Sequence, residues 1–329
     1  MTSTLTAPDT KPAPQNSNTK LMIGRMARQA GLAVVIVLLV LGFGIAKPLF
    51  LHSDNLINVL LQASVVGILA IGETFVLITG GIDLSIGSVI ALAAVGSGLM
   101  NGHVPPAVAI LGGIVVGLLA GLANGLLITL TAITPFIITL GTMSIFSGLA
   151  LIISSGKAIY SIPVGYQNLL GSKIAGLPVP VYILIVLAVV TALVLKYTRL
   201  GEYLVAVGGN AEVARLAGID VRRITLNAYL ISGACAGLAA TILVARLGAA
   251  DPTMGADLLL TAVAATVMGG TTLSGGHGSV VGAAMGAVLL AALTAGLTTL
   301  NVASFYQQVA VGAAIILALL VDTVARRRR

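Results

Sequence analysis

The chain has 329 residues, of which 58% are hydrophobic and only 8% are charged, whereas about a quarter of the residues in a soluble domain carry charge. This composition excludes an ordinary soluble globular protein, because so much apolar surface needs lipid around it. The net charge of +7 does not indicate nucleic-acid binding, since the basic residues stand at the ends of apolar runs and are not interleaved with aromatic residues. We therefore expect a multi-pass membrane protein in a lipid bilayer, with no nucleic acid as partner.

The polar segment 1–30 is rich in Pro, Ser, Thr and Asn and lacks the apolar core of a signal peptide. It is typical of a disordered cytoplasmic tail. Behind it we expect one transmembrane domain over 31–325, followed by a short basic cytoplasmic end at 326–329.

Apolar runs long enough to cross a bilayer as helices, ~17–25 residues, follow one another along the rest of the chain. They predict an all-α, polytopic transmembrane helical bundle of about ten helices. The runs lie at 32–50, 57–79, 86–100, 107–130, 136–154, 179–195, 226–247, 258–269, 280–299 and 305–321. Two of them, 86–100 and 258–269, are shorter than a full span, and the second is interpreted as a broken helix.

Two polar stretches interrupt these runs. The stretch 155–178 is predicted to be a loop, and 196–225 is predicted to lie outside the membrane on the cytoplasmic side. Within the latter, Asn210 is a good N-cap for a short helix over 211–216, and Gly218 is a good stop. An ordinary amphipathic loop is the alternative interpretation of this segment.

The distribution of lysine and arginine predicts the orientation, because short cytoplasmic loops keep positive charge and translocated loops lose it. The tail, the 196–225 segment and the C-terminal arginines fall on one side when both termini are cytoplasmic. Only Lys47, Lys157, Lys173 and Arg246 then fall on the other side.

Acidic residues at membrane depth are candidates for function, and Glu73 and Asp83 are the clear examples here. Asp83 has a structural alternative, since it follows two glycines and is placed to cap the 86–100 helix. Glu73 can pair with a neighbouring helix or line a polar path for solute. A proton relay is the weaker interpretation, because no intramembrane Lys, Arg or His stands beside these acids in the apolar runs.

The stretch TGGIDLSIGS at 79–88 has an echo in MGGTTLSGGHGS at 268–279. Both lie where one membrane run gives way to the next, which is where transporters place non-helical backbone around a cavity. Chance similarity between glycine-rich segments is the alternative. The candidates for a translocation path are Glu73, Thr79, Gly80, Gly81, Asp83, Ser85, Gly269, Gly270, Thr271 and Ser274.

Several kinds of chemistry are missing from the sequence. No lysine precedes a Ser or Thr, so the phosphate-binding G-x-x-x-x-G-K-[ST] loop is absent and any ATP must be hydrolysed by another chain. His52, His103 and His277 are too far apart to predict a metal site, and no catalytic motif predicts an enzyme. We expect no cofactor, and we interpret the single Cys235 as a small packing residue.

Five segments occur in an order that resembles the permease subunits of ribose-type ABC sugar importers. The most specific is GGIDLSIGS at 80–88, and the resemblance covers nearly the whole chain after the tail. The other segments are ITLGTMSIFSGLA, VGGNAEVARLAGI, ISGACAGLAA and GGTTLSGGHGSVVG.

The resemblance implies an inner-membrane transport subunit that carries a monosaccharide by alternating access and performs no bond chemistry itself. The implied partners are an ABC ATPase subunit, a periplasmic sugar-binding protein and a second permease copy, making a homodimer. The residues that the resemblance assigns to coupling with the ATPase are Gly209, Asn210, Glu212, Ala214, Arg215, Gly218 and Ile219.

The chain departs from that family at Ser147, where an arginine is common, and at Ala295 and Gly296, where Asn-Gly is common. These changes put ribose itself in doubt as the solute. Departures at Val213 and Ala217 fall in the coupling segment and are attributed to a matched ATPase. Four alternatives stay open: an ABC permease for branched-chain amino acids, one for nucleosides, an ion-coupled secondary carrier using Glu73 or Asp83, and a structural membrane scaffold.

Overall fold

The computed structural model describes residues 17–131 and 133–327, and the side chains of 29–131 and 133–317. In chain order, the helices are α1 Ser17–Ala46, α2 Ser53–Ile78, α3 Ile86–Met100, α4 Pro106–Leu130, α5 Pro135–Ser154, α6 Val164–Gly171, α7 Val179–Tyr197, α8 Arg199–Gly209, α9 Ala211–Leu216, α10 Val221–Leu247, α11 Leu258–Met268, α12 Val280–Thr299 and α13 Ser304–Arg327. A 3-10 helix covers Pro48–Leu51. The strands β1 Lys173–Ile174 and β2 Leu177–Pro178 form a small antiparallel hairpin, with Lys173 opposite Pro178.

The described residues contain seven helices that are long and apolar enough to cross a membrane and three shorter apolar helices. Each of the predicted apolar runs corresponds to one of these, so the predicted all-α membrane bundle is confirmed. The two short runs are short in the structure as well. Helix α3 has 15 residues and α11 has 11, which is ~22 Å and ~17 Å of helix against a hydrocarbon core of ~30 Å.

Helix α2 occupies the middle of the bundle. In the most apolar stretch of α2, 89% of the residues are buried, whereas in that of α1 only 6% are. Helices α10 and α12 are the next most buried of the long helices, and both pack along α2. In the other long helices, α4, α5 and α7, only 22–28% of the most apolar stretch is buried, as expected of helices that face lipid.

Helices α4 and α10 cross closely because glycines recur on both at intervals of four residues. A Cβ on Gly117 would overlap the backbone oxygen of Gly233, and a Cβ on Gly237 would lie 2.7 Å from the oxygen of Gly113. Small residues spaced in this way let helix backbones approach each other in lipid. These glycines therefore serve as packing residues where α4 and α10 cross. Cys235 is buried in the same helix and packs against Gly72, as expected of a packing residue.

The stretch 155–178 is not simply a loop, as predicted, because it contains helix α6 and the β hairpin. Only two residues of α6 are buried, Tyr166 and Leu170, which stand one turn apart. A helix of eight residues has too little periodic pattern to predict from sequence and depends on its packing. It packs against α10 and the start of α4.

In the polar segment 196–225 the short helix has the predicted bounds, 211–216, and the predicted caps. Asn210 Oδ1 accepts hydrogen bonds from the backbone N–H groups of Glu212 and Val213, both at 3.0 Å. Helix α8, which precedes it, was not predicted. The polar composition of this stretch hid the buried side of α8, formed by Gly201, Leu204 and Val207.

Helix α1 begins at Ser17, inside the segment 1–30 that was expected to be disordered. Residues 1–16 of that tail and 328–329 of the basic end lie outside the described residues. The first helix ends at Ala46, before the predicted position 50, because Pro48 disfavours helical backbone at Lys47. Lys47 is extended, with φ −151° and ψ 101°.

Candidate functional site: a buried polar cluster and a glycine junction

Asp83 is buried in the break between α2 and α3 and binds groups from both sides. Its Oδ1 accepts hydrogen bonds from the backbone N–H of Ser85 at 2.9 Å and from the Ser85 hydroxyl at 2.6 Å. Its Oδ2 accepts one from the hydroxyl of Ser232 on α10 at 3.2 Å. The aspartate therefore accepts a backbone N–H just before α3, but it is not the N-cap that was predicted, because the N-cap position is Ser85. It also joins this break to a helix distant in sequence.

Glu73 is fully buried in α2 and faces the same break. Its Oε1 accepts a hydrogen bond from the backbone N–H of Asp83 at 3.3 Å, while its Oε2 has no hydrogen-bond partner. Neither carboxylate forms an ion pair with a lysine or arginine within the described part of the chain.

Two further residues, Asn124 and Tyr229, complete this site. We call it the polar cluster, and its members are Glu73, Asp83, Ser85, Asn124, Tyr229 and Ser232. Asn124 on α4 donates from Nδ2 to the Ser85 hydroxyl at 2.7 Å, so a chain of hydrogen bonds runs from α4 through Ser85 to Asp83. The Tyr229 hydroxyl lies against the break, since a Cβ on Gly81 would be 2.6 Å from it. The cluster thus offers carboxylate, amide and hydroxyl groups, the groups that bind polar solutes and cations, in an otherwise apolar interior.

The two glycine-rich breaks that resemble each other in sequence meet in space. The backbone N–H of Gly276 donates to the carbonyl of Ile78 at 2.8 Å. A Cβ on Gly275 would lie 2.9 Å from the nitrogen of Gly80 and 2.7 Å from the oxygen of Gly208 on α8. Gly80, Gly275 and Gly276 have φ between +74° and +82°, a conformation that side chains with a Cβ rarely adopt.

We call this contact the glycine junction, formed by Gly80, Gly208, Gly275 and Gly276. It brings helix α8, which leads into α9, against the break that carries Asp83. A displacement of α8 would therefore press on the backbone of both breaks.

The other sequence-predicted path residues lie elsewhere. Gly269 ends α11 and packs against Gly282 of α12, where a Cβ on either would overlap the backbone of the other. Gly270 and Thr271 continue this turn, and Thr271 Oγ1 accepts the backbone N–H of Ser279 at 3.3 Å. These three residues shape a helix crossing, and no hydrogen bond joins them to the polar cluster.

Thr79 and Ser274 stand at the edge of the glycine junction. The Thr79 hydroxyl donates back to the carbonyl of Val76 at 2.7 Å, so it is used locally. Ser274 is exposed, and its carbonyl oxygen would lie 3.9 Å from a Cβ on Gly80.

Helix α9 presents part of its surface to solvent and part to the bundle. Among the residues assigned to coupling, Ala214 is buried, Asn210 caps the helix, and Gly218 ends it with φ +82°. Glu212 and Arg215 form an exposed ion pair at 2.7 Å. The helix also carries two exposed apolar side chains, Val213 and Leu216, with 60% and 79% of their surface exposed. Val213 is one of the departures from the family noted in the sequence, and sequence reasoning did not select Leu216.

Gly209 and Ile219, the remaining coupling residues, flank α9. A Cβ on Gly209 meets nothing within 4 Å, and Ile219 packs against the apolar core.

Sequence reasoning missed Asn124, Tyr229 and Ser232 in the polar cluster. A signal for Asn124 was present, since it is the one amide side chain in the apolar helix α4. Ser232 lies in the segment ISGACAGLAA, which the family resemblance had already marked. Among the described residues no group of three or more His, Cys, Asp and Glu stands together as a metal site would require.

These features define a multi-pass helical membrane protein with a polar site inside the bundle and an exposed helix at one end, which is the construction of a transport component. Comparison with known proteins then places it more narrowly. The chain belongs to the family described as branched-chain amino acid transport system / permease component, whose model matches residues 55–320. It is therefore a permease subunit of the inner membrane and not an enzyme.

Curated relatives match the chain over most of its length. It is 40% identical to the ribose import permease protein RbsC of Bacillus subtilis, over 87% of this chain and 89% of the relative. It is 37% identical to the D-allose transport system permease protein AlsC of Escherichia coli, over 89% and 90%. It is 32% identical to the L-arabinose ABC transporter permease protein AraH of Azospirillum brasilense, over 93% and 91%. No solved structure gives a significant match.

Proposed function

We propose that this chain is the membrane-spanning permease subunit of an ABC importer for a monosaccharide, driven by ATP hydrolysis on a partner chain. The observation that carries this proposal is the near full-length similarity to permeases named for ribose, D-allose and L-arabinose. The relatives differ in the sugar they are named for, so the proposal names the class of sugar and not its identity.

Two copies of the chain, two ATPase subunits and an external sugar-binding protein make up the proposed assembly. A permease that lacks its own phosphate-binding loop needs a separate ATPase. The orientation with both termini in the cytoplasm, proposed from the lysine and arginine bias, puts α8 and α9 on the side where ATP is available.

The proposed docking surface for the ATPase is the outer side of α9. Val213 and Leu216 are the anchors, because exposed apolar side chains on a short capped helix lose water when a partner covers them. The ion pair between Glu212 and Arg215 holds the charged side chains beside these anchors. Movement of α9 would reach the glycine junction through α8, because Gly208 is packed against the backbone of both breaks.

Alternating access would follow if the glycine junction has two arrangements, one for each ATPase state. Asp83 lies in the same break as Gly80 of the junction, and it is hydrogen-bonded to Ser85 in that break and to Ser232 on α10. We therefore propose Glu73 and Asp83 as residues that sense or border the solute path, with Ser85 between them and α4.

The experiment that tests the function is uptake by the reconstituted importer. The permease is combined with its ATPase and binding protein in vesicles, and uptake of radiolabelled D-ribose, D-allose and L-arabinose is measured. We expect uptake of at least one sugar that requires ATP and survives a protonophore. Uptake that survives loss of ATPase activity but stops with the protonophore would establish the ion-coupled carrier instead, and uptake only of an amino acid or nucleoside would establish the other ABC permeases. No uptake of any solute tested would favour the scaffold.

The docking proposal has its own test with a matched control. Val213→Asp places a charge on the proposed anchor, and Val164→Asp places the same charge on an exposed valine of α6, at the other end of the bundle. We expect Val213→Asp to lower copurification of the ATPase at least tenfold, because a buried carboxylate without a partner opposes association. The control should leave copurification unchanged. Equal copurification with both variants would contradict the proposed docking surface.

A further inference from the structure

An apolar groove runs along the outside of the bundle between α1 and α7. Both helices pack on α12, and α12 forms the floor of the groove with Val281, Ala284, Met285 and Val288. Ile36 of α1 lines one wall, and successive turns of α7 line the other. The groove has a volume of about 530 Å³ and opens to the surroundings of the bundle.

The length of the groove corresponds to one leaflet of a bilayer. Its lining on α7 extends from Leu184 to the end of that helix at Lys196 and Tyr197. From Leu184 to Lys196 a helix rises ~18 Å, and half of the hydrocarbon core of a membrane is ~15 Å thick. The groove therefore reaches from the level of the lipid headgroups to about the middle of the membrane.

Among the described residues that line the groove, the charge lies at the headgroup end. Lys196 is the charged residue of the lining, and its Nζ lies 4.8 Å from the centre of the Tyr197 ring. A lysine beside a tyrosine is the usual arrangement at the boundary between hydrocarbon and water, where the amine reaches the headgroup and the ring stays at the interface. The apolar floor and the cationic end together are complementary to an anionic phospholipid, which has apolar chains and a negatively charged headgroup.

The groove is lined almost entirely by apolar side chains along its length of ~18 Å. An extended hydrocarbon chain is an apolar structure of that length. Helix α1 is also held in place at this end, since Gln29 Nε2 donates to the Ser279 hydroxyl on α12 at 3.2 Å.

From these observations we propose that the groove between α1, α7 and α12 binds an acyl chain of an anionic phospholipid, with Lys196 binding the phosphate of its headgroup. The lipid belongs to the leaflet on the side of α8 and α9, because α8 begins at Arg199, directly after Tyr197. The bound lipid fills the gap between α1 and the rest of the bundle and so joins the first helix to α7. This site goes beyond the transport function and does not depend on which solute is carried.

The chain contains no tryptophan, so a single introduced tryptophan reports on its own surroundings. Tyr197→Trp puts the reporter at the headgroup end of the groove, and Ile152→Trp puts a control reporter on the exposed side of α5. The full-length variants are reconstituted in vesicles that contain either phosphatidylglycerol or phosphatidylcholine with brominated chains, and quenching of the tryptophan is measured.

We expect brominated phosphatidylglycerol to quench Tyr197→Trp with an apparent affinity about fivefold higher than that of brominated phosphatidylcholine. This is the factor expected from one lysine near an anionic headgroup. Adding Lys196→Gln should remove this preference, and Ile152→Trp should show none. Equal quenching of Tyr197→Trp by both lipids would overturn the proposal. Quenching by neither would also overturn it, since the groove would then be covered by a second copy or another protein. Folding of each variant is checked by its elution as a single species in detergent.

Discussion

At the scale of single residues, Gly208 and Gly209 end helix α8 side by side, yet only the first lies in the glycine junction. A Cβ on Gly208 would overlap the carbonyl oxygen of Ile78 and the amide nitrogen of Gly276, whereas a Cβ on Gly209 meets nothing within 4 Å. The contact between α8 and the two breaks therefore depends on the absence of one methyl group.

We expect Gly208→Ala to destabilise the protein by ~1–3 kcal/mol, the usual cost of forcing an extra group into a packed site. Gly209→Ala is the matched control and should change stability by no more than about 0.5 kcal/mol. Thermal unfolding of both variants in detergent measures the difference. Equal transition temperatures would show that the two backbones do not meet as described.

In the polar cluster, the two carboxylate oxygens of Asp83 accept hydrogen bonds from different residues. Asp83→Ala would leave three donors without an acceptor, the N–H and hydroxyl of Ser85 and the hydroxyl of Ser232. A buried donor left unsatisfied costs ~1–3 kcal/mol, so we expect a large loss of thermal stability. Asp83→Asn keeps one carbonyl oxygen as an acceptor and should lose less. The prediction is wrong if the asparagine variant is as unstable as the alanine variant.

At the scale of elements, helix α6 depends on one tyrosine for its attachment to α3. The Tyr166 hydroxyl and the Ser97 hydroxyl are 2.7 Å apart, and Ser97 donates to the carbonyl of Ala109 at 2.9 Å. Because Ser97 uses its proton there, Tyr166 is the donor of the pair. One residue thus joins α6 to the contact between α3 and α4.

We expect Tyr166→Phe to cost ~1 kcal/mol, the net contribution of one such hydrogen bond. Tyr160→Phe, with 77% of that tyrosine exposed, is the control and should have no measurable effect. Hydrogen exchange of the α6 amides, with thermal unfolding, measures the change. Unaltered protection of α6 in Tyr166→Phe would mean that the hydroxyl does not hold the helix.

Tyr166 also predicts that the folded protein loses stability at high pH. Burial raises the pKa of Tyr166 to about 12, so the folded protein holds this proton more tightly than the unfolded chain, whose tyrosine has a pKa of ~10. The stabilisation is therefore fully present below pH ~10 and is lost as the pH rises through about 12.

At the scale of the whole molecule, α6 and the β hairpin lie at one end of the bundle and α8 and α9 at the other. The lysine and arginine bias puts the second end in the cytoplasm. Cys235 is buried and should not react with a maleimide that cannot cross membranes, so single introduced cysteines report orientation directly.

We expect Lys173→Cys, in the exposed β hairpin, to be labelled in cells whose inner membrane is intact. Arg223→Cys, at the start of α10 with 83% of its side chain exposed, should be labelled only after that membrane is permeabilised. The opposite pattern would reverse the orientation and remove α9 from the side of the ATPase.

Features that depend on neighbours along the chain were predictable from the amino-acid sequence alone. The membrane helices were predictable because backbone in lipid must satisfy its hydrogen bonds within the segment, which makes each span an apolar run. The bounds of α9 were predictable because Asn210 caps it through groups two and three residues away. Glu73 and Asp83 were selected because a charge is rare in such runs.

Which groups share a site became clear only from the folded bundle. Ser232 binds Asp83 across 149 residues of chain, and Asn124 reaches Ser85 across 39; neither contact leaves a local pattern. The same holds for the glycine junction, where the echo between two breaks was visible but their meeting with α8 was not. Such contacts arise from the packing of helices whose lipid-facing and buried sides look alike in composition, so their partners are chosen by shape and hydrogen bonding within the folded bundle.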